Sequence, residues 1–378
     1  MHEADGHRAN QCKTLNQVQR IEKLDGLRGI FSLLVVFYHL PSTYFGHQVF
    51  QNFFFKTSYC FVDFFFVLSG FVLSYRYDSF KNTSSIVDFV KKRFIRLFPL
   101  LAFSSIVYFL YEIVLQTLMP GLFPKNFIPQ ADFSISSSFL SLIDTLFFAN
   151  STPLFGDSMG MNYPSWSISS EMISYLIFAL FGVLFKGFSK KLLQFALVIG
   201  SLLFLYSLGN YFQTGSFGFV RGIVGFFSGC LLFSVGKTDF KIPNFFQWLI
   251  LPFLMLFVYE IHGIPKDEWN FLNHLSVPMF FSGLIFLILH SQGIVSAFLE
   301  TKPIQYLGKI SYSVYLNHAL ILGILPKGIS LIFNPLGSLF SQLVLISIIL
   351  MILILYSHFT FNWIEIKTAN FLKKKILH

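Results

Sequence analysis

The chain contains few charged residues for its length. Of its 378 residues only 12% are Asp, Glu, Lys or Arg, whereas 54% are hydrophobic, and the mean hydropathy is +0.65. A water-soluble domain of this size needs many more polar side chains to cover its surface. The composition excludes an ordinary soluble domain and predicts a protein whose main solvent is lipid.

The chain has only three cysteines, and its first residues do not resemble an N-terminal signal peptide. Cys12, Cys60 and Cys230 lie far apart and form neither a CxxC pair nor an even disulfide set, so we expect free thiols and no metal site. The first twenty residues are polar and lack the apolar core of a cleavable signal. The first apolar segment is therefore expected to remain in the mature protein.

Basic residues are in excess and give a net charge of +9, and their positions indicate how the chain is oriented in the membrane. Basic side chains occur in short clusters at the borders of apolar segments, which is not the pattern of a nucleic-acid surface. We therefore expect membrane lipids and no nucleic acid among the partners.

Ten apolar stretches have about the 17 to 25 residues that a membrane-spanning helix needs. They predict an all-α polytopic membrane protein with about ten transmembrane helices. The stretches lie near Gly26–Gly46, Tyr59–Tyr75, Leu97–Met119, Trp166–Phe185, Leu192–Gly209, Phe217–Val235, Phe246–His262, Asn273–Ser291, Ile310–Lys327 and Ser338–Trp363.

The distribution of Lys and Arg predicts the orientation of these spans. With a cytoplasmic N-terminus, 22 of the 27 Lys and Arg fall on the cytoplasmic side, and the flipped topology reverses this ratio. Both ends of the chain are therefore expected in the cytoplasm. The expected location is the inner or plasma membrane of a bacterium. Residues 1–20 form a polar tail in this scheme, 21–366 the membrane domain and 367–378 a basic tail, with no soluble domain after it.

His39 lies within the first predicted span, where ionisable groups are costly and often functional. It follows Arg28 by eleven residues, which is ~16 Å of helix and about half of the hydrocarbon core. Ser69 stands ten residues after Tyr59, ~15 Å into the second span. His39 and Ser69 are expected to share a depth, although the sequence gives no helix rotation and hence no lateral contact.

Other ionisable residues are ambiguous. Asp63, Glu171 and Arg221 fall near the outer ends of their spans, where they could line an outward vestibule or contact headgroups. His318 lies deeper, where it could bond a neighbouring helix or act in catalysis.

Arg93 and Arg96 form an i, i+3 pair before the third span. This spacing puts two guanidinium groups on one helix face, where their planar forks can hold a phosphate. A purely topological anchor has the same pattern.

Five segments together resemble the acyltransferase 3 family over about Ile21–Trp363. They are LDGLRGIFSLLVVFYH (Leu24–His39), VDFFFVLSGF (Val62–Phe71), RFIR (Arg93–Arg96), SWSISSEMISY (Ser165–Tyr175) and LGKISYSVYLNH (Leu307–His318). The family comprises integral membrane enzymes that transfer acyl groups, usually acetyl, to hydroxyls of polysaccharides, peptidoglycan, Nod factors or macrolides. The resemblance aligns its R-x10-H signature with Arg28 and His39 and its RxxR motif with Arg93 and Arg96.

The chain departs from the family pattern at three points. Met172 follows Glu171 where two adjacent acids are usual, and Asn317 stands where Trp often precedes the histidine. The SGNH esterase-like domain of some members is lacking from the sequence. We therefore expect the membrane domain to act alone or with another polypeptide, whose identity the sequence does not indicate.

The resemblance implies an O-acetyltransferase with acetyl-CoA as co-substrate. We expect Arg93 and Arg96 to bind acetyl-CoA, assisted by Arg28, and a neutral His39 to act as general base on a sugar hydroxyl. Alternatively, His39 or Ser69 takes the acetyl group first. The expected catalytic residues are His39, Arg28, Glu171 and Ser69. The expected substrate-binding residues are Asp63, Tyr312 and His318. Tyr312, Tyr315, Ser311 or Ser69 could stabilise the oxyanion.

Two other classes of protein remain open at this stage. A transporter or flippase of a glycan precursor would use His39, Asp63 and Glu171 for protons or substrate, but would not need a cytoplasmic arginine pair. A scaffold for polysaccharide synthesis would need none of these residues. Within the enzyme class, a glycan or lipid-linked sugar is the expected acceptor.

Overall fold

All regular secondary structure in the described residues is helical, which confirms the all-α fold class. The computed structural model describes residues 21–77, 80, 82–117, 135–152, 154, 159–235, 241–264, 271–330 and 338–376. The polar tail predicted for residues 1–20, with Cys12, lies outside the described residues.

The described residues contain fourteen α-helices. In chain order they are α1 (Glu22–Tyr38), α2 (Phe53–Thr57), α3 (Phe61–Arg76), α4 (Thr83–Thr117), α5 (Ile135–Leu146), α6 (Trp166–Leu184), α7 (Gly187–Ser207), α8 (Gly218–Val235), α9 (Ile250–His262), α10 (Phe271–His290), α11 (Ile294–Leu299), α12 (Lys302–Ser330), α13 (Leu339–Thr360) and α14 (Ala369–Ile376). Tighter 3₁₀ turns occupy Ser58–Cys60, Tyr163–Ser165 and Asn244–Leu249, and a π-helical segment, Phe361–Thr368, joins α13 to α14.

Six helical segments in the described ranges are long and apolar enough to cross a membrane: Phe53–Arg76, Thr83–Thr117, Tyr163–Leu184, Gly187–Ser207, Asn244–His262 and Leu339–Ile376. Each of the ten predicted spans falls on a helix, but their number and the cytoplasmic location of both ends stay predictions. Helices α1 and α12 are not among the six. Helix α1 has 17 residues, and both helices carry charged and polar side chains that lower their hydropathy.

Two predicted boundaries are wrong. Helix α1 ends at Tyr38 and not near Gly46, because Pro41 lacks an N–H and disfavours helix in the residue before it. Helix α4 begins at Thr83, well before the predicted Leu97, and it includes the basic run Lys91–Arg96. Arg93 and Arg96 therefore lie inside a long helix.

Helices α3 and α8 touch backbone to backbone. A β-carbon on Gly70 would lie 1.8 Å from the carbonyl oxygen of Phe226, and one on Gly229 would lie 1.9 Å from that of Val67. Small residues permit this approach, which is a common way of packing helices in membranes. Gly70 thus has a close-packing role.

Helices α1 and α12 run in the same direction and make an equally close contact. A β-carbon on Gly29 would lie 2.7 Å from the amide nitrogen of Gly308, and one on Gly308 would lie 2.1 Å from the carbonyl oxygen of Asp25. This contact fixes the register of the two helices that carry His39 and His318.

A buried ion pair joins α3 to α8. Arg221 Nη2 lies 2.6 Å from Asp63 Oδ2, and the Tyr211 hydroxyl donates to Asp63 Oδ1 at 3.2 Å. The rings of Trp166 and Phe212 lie 5.3 and 4.9 Å from the Arg221 guanidinium carbon. Because the side chains are 1% and 0% exposed, the expectation that Asp63 and Arg221 meet an open vestibule or headgroups is wrong.

We predict that Gly70→Ala destabilises the protein by about 1–3 kcal/mol, because the added methyl group must push α3 away from α8. Thermal unfolding in lipid nanodiscs measures the loss. Gly200→Ala is the matched control, since its β-carbon would meet nothing within 4 Å, and it should be neutral or slightly stabilising. Equal effects of the two substitutions would contradict the close-contact explanation.

We predict that Asp63→Asn lowers the free energy of unfolding by about 3–5 kcal/mol, because it leaves Arg221 buried without its counter-charge. The double variant Asp63→Leu with Arg221→Met replaces both charges by apolar groups and should regain most of this loss. Denaturant unfolding of the three proteins measures both effects. A double variant as unstable as Asp63→Asn would argue against the pair as the cause.

Candidate active site: an arginine cavity and a histidine pair

A cavity of about 390 Å³ opens between α1, α3, α4, α6, α12 and the π-helical segment. It brings together six predicted site residues, Arg28, Ser69, Arg93, Arg96, Glu171 and Tyr312. Its charged lining comprises four cations and three carboxylates: Arg28, Arg93, Arg96 and Lys309, with Asp25, Glu171 and Glu365. The name arginine cavity is used for this site below.

Arg93 and Arg96 face the arginine cavity from successive turns of α4. Arg93 is buried, 8% exposed, between the rings of Tyr77, Phe89 and Tyr175, which lie 5.6 to 5.9 Å from its guanidinium carbon. Its Nε is buried without a hydrogen-bond partner. In the part of the chain that the structure describes, no carboxylate lies within 4 Å of either arginine. Two guanidinium groups in the cavity are therefore left for an anionic ligand.

Arg28, the third arginine of the cavity, forms a longer ion pair than an ideal one. Arg28 Nη1 donates to Asp25 Oδ1 at 3.3 Å, one turn earlier on α1. A single long contact does not use the five donors of a guanidinium. Arg28 can thus add to the positive potential of the arginine cavity while Asp25 limits its movement.

Glu171 connects two hydroxyl groups in the arginine cavity. Its Oε1 accepts hydrogen bonds from the Ser69 hydroxyl on α3 and from the Tyr175 hydroxyl one turn further along α6. The serine proton thus points at a carboxylate, the arrangement that can activate a hydroxyl as a nucleophile. Glu171 performs this contact alone, without the second acid of the usual family block.

Glu365 is the lining residue that the sequence did not indicate. It lies in the π-helical segment, accepts a hydrogen bond from Ser313 at 3.0 Å and interacts electrostatically with Arg96 and Arg28. A π-turn shifts side chains relative to an α-helix and often occurs at functional sites. In the sequence, Glu365 stands out only as an acidic residue close to the lysines near the end of the chain, where basic residues are expected.

His39 and His318 form a second centre beside this cavity, and neither is among its lining residues. His318 Nε2 lies 3.3 Å from His39 Nδ1, and the ring centroids are 4.9 Å apart. His318 is fully buried, whereas His39, which caps the C-terminus of α1, is partly exposed. His318 thus makes the predicted contact to a neighbouring helix, and its partner there is His39, the predicted general base.

The hydrogen bonds of the pair select one tautomer of His39. His318 Nδ1 lies 2.5 Å from the carbonyl oxygen of Tyr315, which can only accept, so Nδ1 carries the proton and neutral His318 presents a lone pair at Nε2. His39 Nδ1 faces that lone pair and, at 2.9 Å, the carbonyl oxygen of Val35. With two acceptors opposite it, His39 Nδ1 must be protonated. The lone pair of neutral His39 then lies on Nε2.

Tyr315 connects the two centres. Its ring lines the arginine cavity, its hydroxyl bonds the Ser167 hydroxyl at 2.8 Å, and its carbonyl holds His318. His39 and Ser69, which were predicted only to share a depth, belong to different centres: Ser69 lines the arginine cavity, and His39 is not among its lining residues.

The hydroxyls considered for oxyanion stabilisation already donate elsewhere. Tyr312 donates to the carbonyl oxygen of Leu97 at 2.7 Å and Ser311 to that of Gly308 at 2.9 Å. Each must exchange this bond before it can serve a reaction intermediate. No three His, Cys, Asp or Glu side chains are grouped for metal binding within the described ranges.

Comparison with known proteins agrees with the resemblance of the sequence blocks. A family model described as an acyltransferase domain matches residues 21–363. A curated relative, "Protein 2 in picA locus" of Rhizobium radiobacter, is 30% identical over 168 residues, which are 43% of this chain and 83% of the relative. No solved structure matches the chain at a significant level.

We predict that His39 carries its proton on Nδ1 and that this preference depends on His318. ¹⁵N spectra of histidine-labelled protein should show a protonated Nδ1 and an unprotonated Nε2 for His39, and His318→Leu should change these signals. His290 is the matched control, because its Nδ1 lies 2.8 Å from the carbonyl oxygen of Phe286 in the same i−4 arrangement. Its signals should not change. A His39 protonated on Nε2 in the wild type would exclude that nitrogen as the base.

Proposed function

Because the chain belongs to the acyltransferase 3 family, whose model spans residues 21–363, we propose that it is a membrane O-acetyltransferase. It transfers an acetyl group from acetyl-CoA to a hydroxyl of a surface glycan or a lipid-linked sugar. The proposed location is a bacterial inner or plasma membrane, where the arginine cavity faces the cytoplasmic supply of acetyl-CoA.

The observation that carries this proposal is a pair of cavity-lining arginines that form no close ion pair with a described carboxylate. Arg93 and Arg96 lie on one face of α4, without a carboxylate within 4 Å in the described residues, and Arg93 Nε is buried and unbonded. Phosphate groups suit such donors, because the planar guanidinium forks form bidentate hydrogen bonds. Coenzyme A carries phosphates on a flexible pantetheine arm, so these residues fit this donor.

The cation excess of the arginine cavity supports the same donor. Arg28 and Lys309 join the α4 pair, against three carboxylates that already interact with protein groups. A bound phosphate would therefore be attracted by the positive charge that the three carboxylates do not neutralise. The pantetheine arm would then run from the arginines toward Ser69 and Tyr315.

In a direct transfer, His39 is the general base. Its Nε2 takes the proton of the acceptor hydroxyl while the hydroxyl oxygen attacks the thioester carbonyl carbon. The carbon–sulfur bond breaks, and the coenzyme A thiolate leaves and receives the proton from His39. His318 positions His39 by holding the tautomer with a basic Nε2. In this route the thioester must extend past Tyr315.

In a two-step transfer, Ser69 carries the acetyl group. Its oxygen attacks the thioester, Glu171 accepts the serine proton and later gives it to the thiolate, and an acetyl-serine forms. The acceptor hydroxyl then attacks that ester with His39 as base and regenerates Ser69. The hydrogen bond between Ser69 and Glu171 supports this route. Mass spectrometry of protein quenched during turnover distinguishes it from direct transfer by an acetyl group on Ser69.

The proposed roles of the other predicted residues follow from their contacts. Tyr312 lines the arginine cavity and would contact the acyl donor. Asp63, paired with Arg221, lies outside that cavity, and its role in substrate binding stays a prediction.

We predict that His39→Ala lowers kcat for acetyl transfer by about 10²–10⁴-fold, the usual contribution of a general base. Purified protein in nanodiscs, labelled acetyl-CoA and candidate glycans provide the measurement. Arg93→Ala should weaken acetyl-CoA binding about tenfold or more, since a charged hydrogen bond contributes about 1.5–3 kcal/mol.

Matched controls separate these effects from misfolding. His290→Ala removes a histidine with the same backbone contact as His39, and Lys92→Ala removes the exposed cation next to Arg93 on α4. Both should retain wild-type kinetics. A folded wild type that neither binds acetyl-CoA nor turns it over would exclude the acetyltransferase and favour a transporter.

A further inference from the structure

A group of tyrosine rings surrounds His39 at the end of α1 farthest from Arg28. The rings of Tyr38 and Tyr163 lie 4.7 and 4.8 Å from the His39 ring, and Tyr59 lies 5.3 Å from Tyr38. Tyr163 also lies 5.6 Å from the ring of His318. The mechanism described above uses none of these tyrosines.

A fourth tyrosine extends the group from another helix. Tyr108 of α4 interacts electrostatically with Tyr163, and its ring lies 6.0 Å from that of Tyr111. Tyr111 is tied to α12 because its hydroxyl donates to the carbonyl oxygen of Gly323 at 3.1 Å. The term tyrosine vestibule is used for Tyr38, Tyr59, Tyr108 and Tyr163 around His39.

Most of the tyrosine vestibule is accessible from the protein surface. Tyr38, Tyr59, Tyr163 and His39 are all partly exposed, whereas their neighbour His318 is fully buried. Partly exposed aromatic rings beside a candidate catalytic group are typical of small-molecule sites, which combine apolar faces with a few polar groups.

Charge distinguishes this site from the arginine cavity. Among the described residues, the charged groups that interact with its tyrosines are Asp63 and Arg221 at Tyr59 and Glu112 at Tyr108. Arg221 is paired with Asp63, and Glu112 interacts with Lys327 of α12, so each cation has a carboxylate partner. A phosphorylated or carboxylated ligand would find no cation excess here, in contrast to the arginine cavity. The tyrosine vestibule therefore fits a neutral ligand.

A neutral sugar ring has the complementary chemistry. One face of a pyranose consists largely of C–H groups, which pack on aromatic rings, and its edge carries hydroxyls that phenol oxygens can bond. We propose that the tyrosine vestibule binds the acceptor as a neutral hexopyranose unit and presents one of its hydroxyls to His39. This inference rests on the proposed function, and it locates the acceptor on the opposite side of the histidine pair from acetyl-CoA.

The test compares Tyr163→Ala with Tyr163→Phe in nanodiscs. Acceptors are the methyl glycopyranosides of glucose, galactose, mannose and rhamnose, with methyl glucuronoside as the anionic counterpart. For the best neutral acceptor, Tyr163→Ala should raise KM about fivefold or more and leave the KM of acetyl-CoA unchanged. Tyr163→Phe should keep the acceptor KM within about twofold, because the ring face remains.

Saturation-transfer NMR without acetyl-CoA measures sugar binding directly and should lose its signal in Tyr163→Ala. Tyr356→Ala is the matched control, since Tyr356 is also partly exposed but lies near the end of α13 that leads to Glu365. It should behave as the wild type.

Several results would overturn the inference. These are an unchanged acceptor KM in Tyr163→Ala, an equal loss in Tyr163→Phe, tighter binding of the glucuronoside, or no sugar binding in a protein that still hydrolyses acetyl-CoA. A protein that fails to bind or hydrolyse acetyl-CoA at all would instead overturn the proposed function, and the inference with it.

Discussion

The contact between Gly29 and Gly308 is the constraint on which both functional centres depend. With any side chain at Gly308, α12 would collide with the carbonyl oxygen of Asp25, so only this pair of residues allows the two backbones to meet. His39 lies ten residues after Gly29, and His318 lies ten residues after Gly308. Because the helices are parallel, equal spacing of ~15 Å from one contact brings the two imidazoles to the same level.

The same glycine contact also explains why α1 and α12 each contribute a cation to the arginine cavity. Arg28 precedes Gly29 and Lys309 follows Gly308, so both cations enter the arginine cavity beside the glycine contact. These polar helices could not face hydrocarbon, because uncompensated polar groups there are costly. The apolar helices around them separate them from lipid. Inside this layer, buried contacts such as the ion pair of Asp63 with Arg221 neutralise the enclosed charges.

The sequence predicted what depends on local spacing. Apolar length predicted every long helix, and the i, i+3 spacing of Arg93 and Arg96 predicted that one cavity receives both. Contacts between distant segments could not be predicted in this way, because a single sequence does not give the rotation of one helix against another. The hydrogen bond between Ser69 and Glu171 and the contact of His39 with His318 are of this kind.

Glu365 escaped prediction for a different reason. Its position depends on a π-helical segment, in which each turn contains more residues than the α-helical period used to assign faces. The early end of α1 was in principle predictable from Pro41, but the apolar residues after it obscured this signal.

Tyr315 is the residue through which one centre can affect the other. Its side chain lines the arginine cavity and bonds Ser167, whereas its backbone carbonyl fixes the tautomer of His318. A rotation of the side chain would break the bond to Ser167 and leave the carbonyl contact intact. The lining of the arginine cavity can therefore change while His318 keeps its tautomer and its contact with His39, because the two contacts of Tyr315 belong to different parts of the residue.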